Sequence, residues 1–169
     1  MGNHLRLLAE WLAATRLSTL FQDTLWVVPT SQSIHIVCLS VVFCSALMIN
    51  LRLLGVGRSG RSVSELVTHL VPWMWYALVL LLLTGTVQAI AEPARQFVTP
   101  VFWIKMLLIV VVALMTRLFS RTVRRNAAAW DSASTRPAGA KWFAAASILI
   151  WIAIITCGRM IGYTYSYYS

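Results

Sequence analysis

Apolar residues fall into four long blocks along the chain, Ser33 to Val56, Leu66 to Ile90, Val101 to Phe119 and Trp142 to Tyr163. Each is long enough to cross the hydrocarbon core of a bilayer as a helix. Ahead of the first block the pattern changes. Between Leu5 and Phe21, the residues Leu7, Leu8, Trp11, Leu12, Leu17 and Leu20 recur at near-helical spacing, while Arg6 and Glu10 form an i,i+4 pair on a polar strip. This predicts an amphipathic helix that lies on the membrane surface or packs against another subunit. Glu10 and Arg16 interrupt its apolar run and no small-residue cleavage pattern stands out, unlike a signal peptide. The expected fold is all-α: a polytopic membrane four-helix bundle over residues 31–169, preceded by an amphipathic interfacial segment over 1–30.

Local signals refine the spans. Trp26, Pro29 and the run Ser31, Gln32, Ser33 form an interfacial approach to the first helix, with the indole at headgroup level. The second helix enters through Glu65 and continues past Pro72, whose missing amide hydrogen predicts a distortion beside Trp73, Trp75 and Tyr76. Pro100 suits the first turn of the third helix. From Arg121 to Lys141 the chain is rich in Ala, Ser, Thr and Arg, with Trp130 and Pro137, as in a loop that can hold a short surface helix. Tyr163, Tyr165, Tyr167 and Tyr168 make an aromatic interfacial belt.

With 59% hydrophobic and only 11% charged residues, the composition excludes an ordinary soluble domain. Four spans in 169 residues leave no length for a separate catalytic domain, so any site belongs to the bundle or its rims. The net charge of +9 is sorted by topology rather than gathered into a nucleic-acid patch. Arg52, Arg58 and Arg61 flank the first connection, and Arg117, Arg121, Arg124, Arg125, Arg136 and Lys141 flank the third, whereas the second offers only Arg95 beside Glu92. The positive-inside rule then makes connections one and three cytoplasmic. Both termini and the Glu92 to Pro100 turn face the other side, the periplasm in a bacterium. The surplus charge also suits anionic lipid.

Three blocks carry residues that hydrocarbon penalises: His35, Lys105 and Arg159. Counting along the helices puts all three near the same membrane face, with His35 and Lys105 roughly 5 to 8 Å inside it. Gln32 shares a helix face with His35 and Gln88 approaches the same level from the second helix, so four helices can contribute to one polar chamber. A second group, Asn50, Arg52, Glu65, His69 and Arg117, gathers at the opposite face, where charges at helix ends snorkel and pair for purely structural reasons. Cys38, Cys44 and Cys157 fall inside spans without a CxxC pair or a zinc spacing and read as small buried hydrophobes. No phosphate-binding glycine loop, nucleophile elbow or internal repeat is present in the sequence.

The runs Gln32-Ser33-Ile34-His35-Ile36, Leu51-Arg52-Leu53-Leu54-Gly55, Pro72-Trp73 with Thr84-Gly85, Phe102-Trp103-Ile104-Lys105 and Gly158-Arg159-Met160-Ile161-Gly162-Tyr163 resemble an uncharacterised family of bacterial four-helix inner-membrane proteins. That resemblance covers the chain from Gln32 onward and implies a fold and a bacterial inner-membrane location, with no established reaction. More distantly, a His in the first helix and a Lys in the third are similar to the copper-resistance D membrane domain and to b561-type membrane cytochromes. The cytochrome resemblance implies haem b, with His35 as an iron ligand. His69 lies over 20 Å from His35 in depth, so the second ligand falls to Met106, Met160, His4 or a histidine of a partner chain, with Lys105 and Arg159 neutralising the propionates. A quinone or lipid headgroup could use His35, Gln32 and the two cations more simply. The expectation is therefore a non-catalytic membrane subunit whose chamber (His35, Gln32, Lys105, Arg159, Gln88) binds haem b, quinone or lipid within an electron-transfer assembly. It would sit beside other membrane subunits or a second copy of itself, without nucleic acid. The alternatives are a structural or anchoring subunit and a transporter of copper or a small solute, for which no Met-rich or His-rich motif is present.

Overall fold

The computed structural model describes residues 2–56, 60–132, 137 and 139–168. Arg58 and Arg136, and the side chains of Leu5, Tyr165, Tyr167 and Tyr168, lie outside the described residues. Four helices are long and apolar enough to cross a membrane: α3 (Val27–Leu54), α4 (Val63–Ala91), α6 (Pro100–Arg125) and α8 (Ala140–Tyr168), the last over Ala140–Tyr163. Between and before them run the short helices α1 (Gly2–Ala13), α2 (Arg16–Asp23), α5 (Pro93–Phe97) and α7 (Ala127–Asp131). All regular structure among the described residues is α-helical, and the four long helices pack as a bundle.

The long helices outrun the apolar blocks because polar residues near the headgroups can stay helical while their side chains reach water. The first therefore begins at Val27, so that Pro29 and the Ser31 to Ser33 run belong to α3, and the third continues to Arg125. Pro72 does not end α4, whose helix is continuous from Val63 to Ala91. The termini are chemically specified. Gly55, at φ 83°, closes α3 in a left-handed cap in which Val56 N–H donates to Leu51 O at 2.9 Å and Gly55 N–H to Arg52 O at 3.2 Å. Ser62 opens α4 by accepting from Glu65 N–H at 3.2 Å.

Around the bundle the order is α4, α3, α8, α6, with α3 against α4 the most extensive contact and the α4–α6 seam the slightest. Side chains from the inner faces form one core that includes Val42, Ile49, Leu53, Val67, Met74, Val112, Val123, Trp151 and Ile154. Asn50, 3% exposed, is held inside it by donating from Nδ2 to Ser147 Oγ at 3.0 Å.

The single amphipathic helix expected over Leu5 to Phe21 is two helices. Thr15 separates them: its hydroxyl donates to Leu12 O at 2.6 Å, and its Oγ1 accepts from Ser18 N–H to start α2. Leu7, Leu8, Trp11, Leu17 and Leu20 are exposed, whereas Ala9 and Ser18 are buried. Gln22 anchors the segment by donating from Nε2 to Ala91 O, the last residue of α4, at 2.7 Å. The amino-terminal helices therefore sit at the end of the bundle where α4 finishes, beside α5.

The connection between α6 and α8 folds back on the bundle. Trp130 of α7 is buried edge-on against Phe119 at 5.2 Å between centroids, and Phe119 stacks on Phe143 at 4.8 Å. Asp131 accepts from Ser64 N–H at 2.9 Å and from Ser64 Oγ at 2.6 Å, satisfying a free amide in the first turn of α4. Burial raises the affinity of this carboxyl for its proton, but the hydrogen bonds from Ser64, Ser62 and Val63 outweigh it and hold the group below its ordinary value.

Candidate functional site

His35 sits on α3 about 12 Å from the start of that helix. Its half-buried imidazole faces α4, with Nδ1 2.8 Å from Thr84 Oγ1. The Thr84 hydroxyl also lies 2.8 Å from Leu80 O, and in the arrangement where it donates there its oxygen receives the Nδ1–H of His35. This assignment leaves the imidazole lone pair at Nε2. One turn earlier on α3, buried Ser31 donates to Thr84 O at 3.1 Å and ties the same two helices together. Gly85 continues the close approach, since a Cβ there would lie 3.6 Å from His35 Cε1.

Lys105 comes from the third spanning helix, about 8 Å from the start of α6. Phe97, Phe102 and Trp103 pack edge to face beside it, and the Trp103 indole donates to Phe97 O at 3.2 Å, which fixes how α5 turns into α6. The Lys105 side chain is half-buried and runs to α8, where its Nζ lies 3.8 Å from the position a Cβ would take on Gly158. It is within electrostatic reach of both His35 and Cys157. Nζ is a hydrogen-bond donor in either protonation state.

Gln88 lies one turn beyond Thr84 on the same face of α4. Its Nε2 is buried, with no acceptor in reach among the described residues. A donor in that condition costs free energy until something accepts from it. His35, Lys105 and Gln88, on α3, α6 and α4, are thus the candidate polar groups at this end of the bundle.

The other two expected members lie differently. Arg159 is exposed, with NH2 3.3 Å from the Tyr163 hydroxyl and its guanidinium carbon 5.7 Å from the centre of the same ring. Gln32 is exposed, one turn from His35. Arg95, read from the sequence only as a topology signal, is at this end too. It bonds Glu92 at 2.6 Å, and its NH2 lies 3.1 Å from where a Cβ would stand on Gly162 of α8. Thr84 and Gly85 are the site residues that site reasoning missed. A threonine followed by glycine inside an apolar span is the available signal, because small and hydroxyl-bearing residues mark close helix contacts in membranes.

At the far end of the bundle His69 is exposed, Glu65 pairs with Arg61 at 3.6 Å, and Arg117 is exposed. From Thr84 back to His69 is about 22 Å of helix, so His69 cannot share a ligand with His35 within one chain. His4 is exposed on α1. Among the described residues no group of three or more His, Cys, Asp or Glu side chains is placed to hold a metal ion. Cys38 is buried, Cys157 half-buried and Cys44 exposed, and all three are free thiols.

Over residues 10–164 the chain belongs to DUF6644, a family of unknown function. No curated protein and no solved structure matches it.

Proposed function

We propose that this chain is a small bacterial inner-membrane subunit that holds the headgroup of a lipophilic quinone in the chamber at His35, in support of a membrane electron-transfer assembly. The observation that carries the reading is Gln88 Nε2, buried without an acceptor among the described residues, on the helix face that also presents Thr84 and, through it, His35. A quinone carbonyl accepts from Gln88 Nε2 and a second carbonyl accepts from Lys105 Nζ. His35 Nε2 then accepts from a ring hydroxyl when the reduced form is bound. The chemistry needs a ring that carries acceptors on opposite edges, and the donors here come from different helices. In this reading the chamber is on the periplasmic side of an inner membrane, with both termini there, an orientation that the arginine-rich connections support through the positive-inside rule.

A lipid ester shares the carbonyl but not the hydroxyl that Nε2 would accept from. Haem b held by His35 needs its second axial ligand from Met106, Met160, His4 or a partner chain. Copper or small-solute transport has no matching donor cluster among the described residues in its favour.

The test is titration of the purified protein in nanodiscs with a short-chain benzoquinone, followed by quenching of tryptophan fluorescence. Saturable quenching that weakens at least tenfold in Gln88→Leu and in His35→Ala is the expected result. Quenching that is unsaturable, or unchanged in both variants, would remove the quinone reading.

A further inference from the structure

The arginine-rich half of the bundle contains a second buried polar system that the chamber does not use. Trp151 of α8 is 4% exposed, and its Nε1 is buried with no acceptor in reach among the described residues. It stands about 17 Å along α8 from Ala140, near the middle of a bilayer core. An indole N–H at that depth has neither bulk water nor lipid carbonyls to bond, so an acceptor must be brought to it.

The packing leaves room for one. Trp151 lines a half-open, mostly apolar void of about 20 Å³ between α4 and α6, with Val42, Met74, Leu78, Ile109 and Thr116 among its other lining residues. A second void, also about 20 Å³, lies toward the arginine-rich end and is lined in part by Met74 and Thr116 again, together with Asn50, Phe119 and Ser147. Both are half open, and each has room for at least one water, which needs roughly 10 to 15 Å³ on this measure and two or more polar partners. Thr116 belongs to both linings. Its hydroxyl donates to Val112 O at 2.8 Å, which leaves the oxygen free to accept. Asn50 uses one amide hydrogen on Ser147 and keeps its carbonyl oxygen, on a helix that ends four residues later.

We infer that two water molecules occupy these voids and complete a hydrogen-bonded chain from Asn50 and Ser147, through Thr116, to Trp151. The first water accepts from Trp151 Nε1 and donates to Thr116 Oγ1. The second donates to Thr116 Oγ1 or Asn50 Oδ1 and accepts from the Ser147 hydroxyl. Hydration then extends from the arginine-rich rim to the middle of the membrane along the inner faces of α3, α6 and α8. The lining is mostly apolar, so the ligand class is set by its few polar atoms: a small neutral molecule that both donates and accepts pairs them, whereas an acyl chain entering through the slight α4–α6 seam would leave the indole unpaired. Nothing in the inference depends on what the chamber at His35 binds.

Nitrogen-15 labelling of the tryptophan indoles in the full chain in nanodiscs, with Trp151 assigned by Trp151→Phe, provides the test. The Trp151 Nε1–H is expected to show a cross-peak to water. That cross-peak should be lost or reduced more than threefold in Thr116→Val, whose spectrum otherwise overlays the wild type, and retained in Thr116→Ser. Cross-peaks from Trp151 Nε1–H to acyl-chain protons in place of water would overturn the inference and make the void a lipid crevice. A water cross-peak of equal size in Thr116→Val would overturn the chain through Thr116. Should Thr116→Val fail to fold, Asn50→Asp and Ser147→Ala supply the same comparison.

Discussion

Replacing Thr84 by valine removes one hydroxyl and keeps the β-branched shape that fits α4 at that position. The Ser31 bond survives, because it goes to the Thr84 backbone carbonyl. What is lost is the 2.8 Å bond to His35 Nδ1. A buried donor left without a partner costs about 1 to 3 kcal/mol, whereas interhelical hydrogen bonds in membranes average about 0.6 kcal/mol because the unfolded chain finds other partners. His35 is half-buried, so the expected loss of stability is about 1 kcal/mol. The effect on the chamber should be larger than that figure suggests. Without Thr84 the imidazole is free to change tautomer and rotate, and Nε2 is no longer held as the acceptor. A loss of orienting partners of this kind typically costs about 10-fold or more in affinity. Unfolding of the purified protein in mixed micelles, read by near-UV circular dichroism, measures the first quantity, and the benzoquinone titration measures the second. Thr84→Ser should restore both. If Thr84→Val matched the wild type in both, or if Thr84→Ser behaved like Thr84→Val, the orienting role assigned to Thr84 would be wrong.

Asp131→Asn should destabilise the protein by about 1 to 2 kcal/mol at neutral pH, from weaker capping of α4. The carboxyl is held below its ordinary value in the folded state, so the wild-type advantage is full above about pH 4 and is lost as pH falls through the folded value. Unfolding curves of the two proteins should therefore converge at acid pH, and a constant difference would contradict the capping role. Trp130→Ala should cost about 3 to 5 kcal/mol by opening the contact with Phe119, and Trp130→Phe much less, as judged by thermal unfolding. A reporter fused after Ser169 should be periplasmic and one inserted within 132–139 cytoplasmic, as the arginine distribution requires. Reversed labelling in an enzymatic reporter assay would invert the topology.

The spans were legible because a bilayer demands long apolar runs, and the sequence has four of them. Their ends were less so, since Ser31, Arg124 and Arg125 stay helical beyond the apolar blocks. The break at Thr15 is a capping event that the apolar spacing of Leu12 and Leu17 does not register, although a threonine three residues before the buried Ser18 amide is the usual local signal. In the chamber, His35 and Lys105 were visible because hydrocarbon penalises them. Thr84 was not, because a lone threonine in a span ordinarily bonds its own helix, as this one does to Leu80 O, and nothing in the sequence shows that its hydroxyl also pairs with His35 of α3. Arg159 illustrates the reverse case: depth along α8 placed it near the chamber level, while the tyrosine one turn later engages its guanidinium. Trp151 and exposed Trp142 are both indoles on one helix, and only packing separates a buried unpaired donor from a headgroup anchor.

The most direct test of the central claim is chemical analysis of the protein purified in mild detergent from bacterial membranes: organic extraction, chromatography with mass spectrometry, and a visible spectrum of the same sample. The expected result is a quinone retained near one per chain, depleted in His35→Ala and Gln88→Leu, with no Soret band. A Soret band that His35→Ala abolishes would replace the quinone with haem, and a colourless protein that carries no quinone above the detergent background would contradict the account and leave a structural subunit.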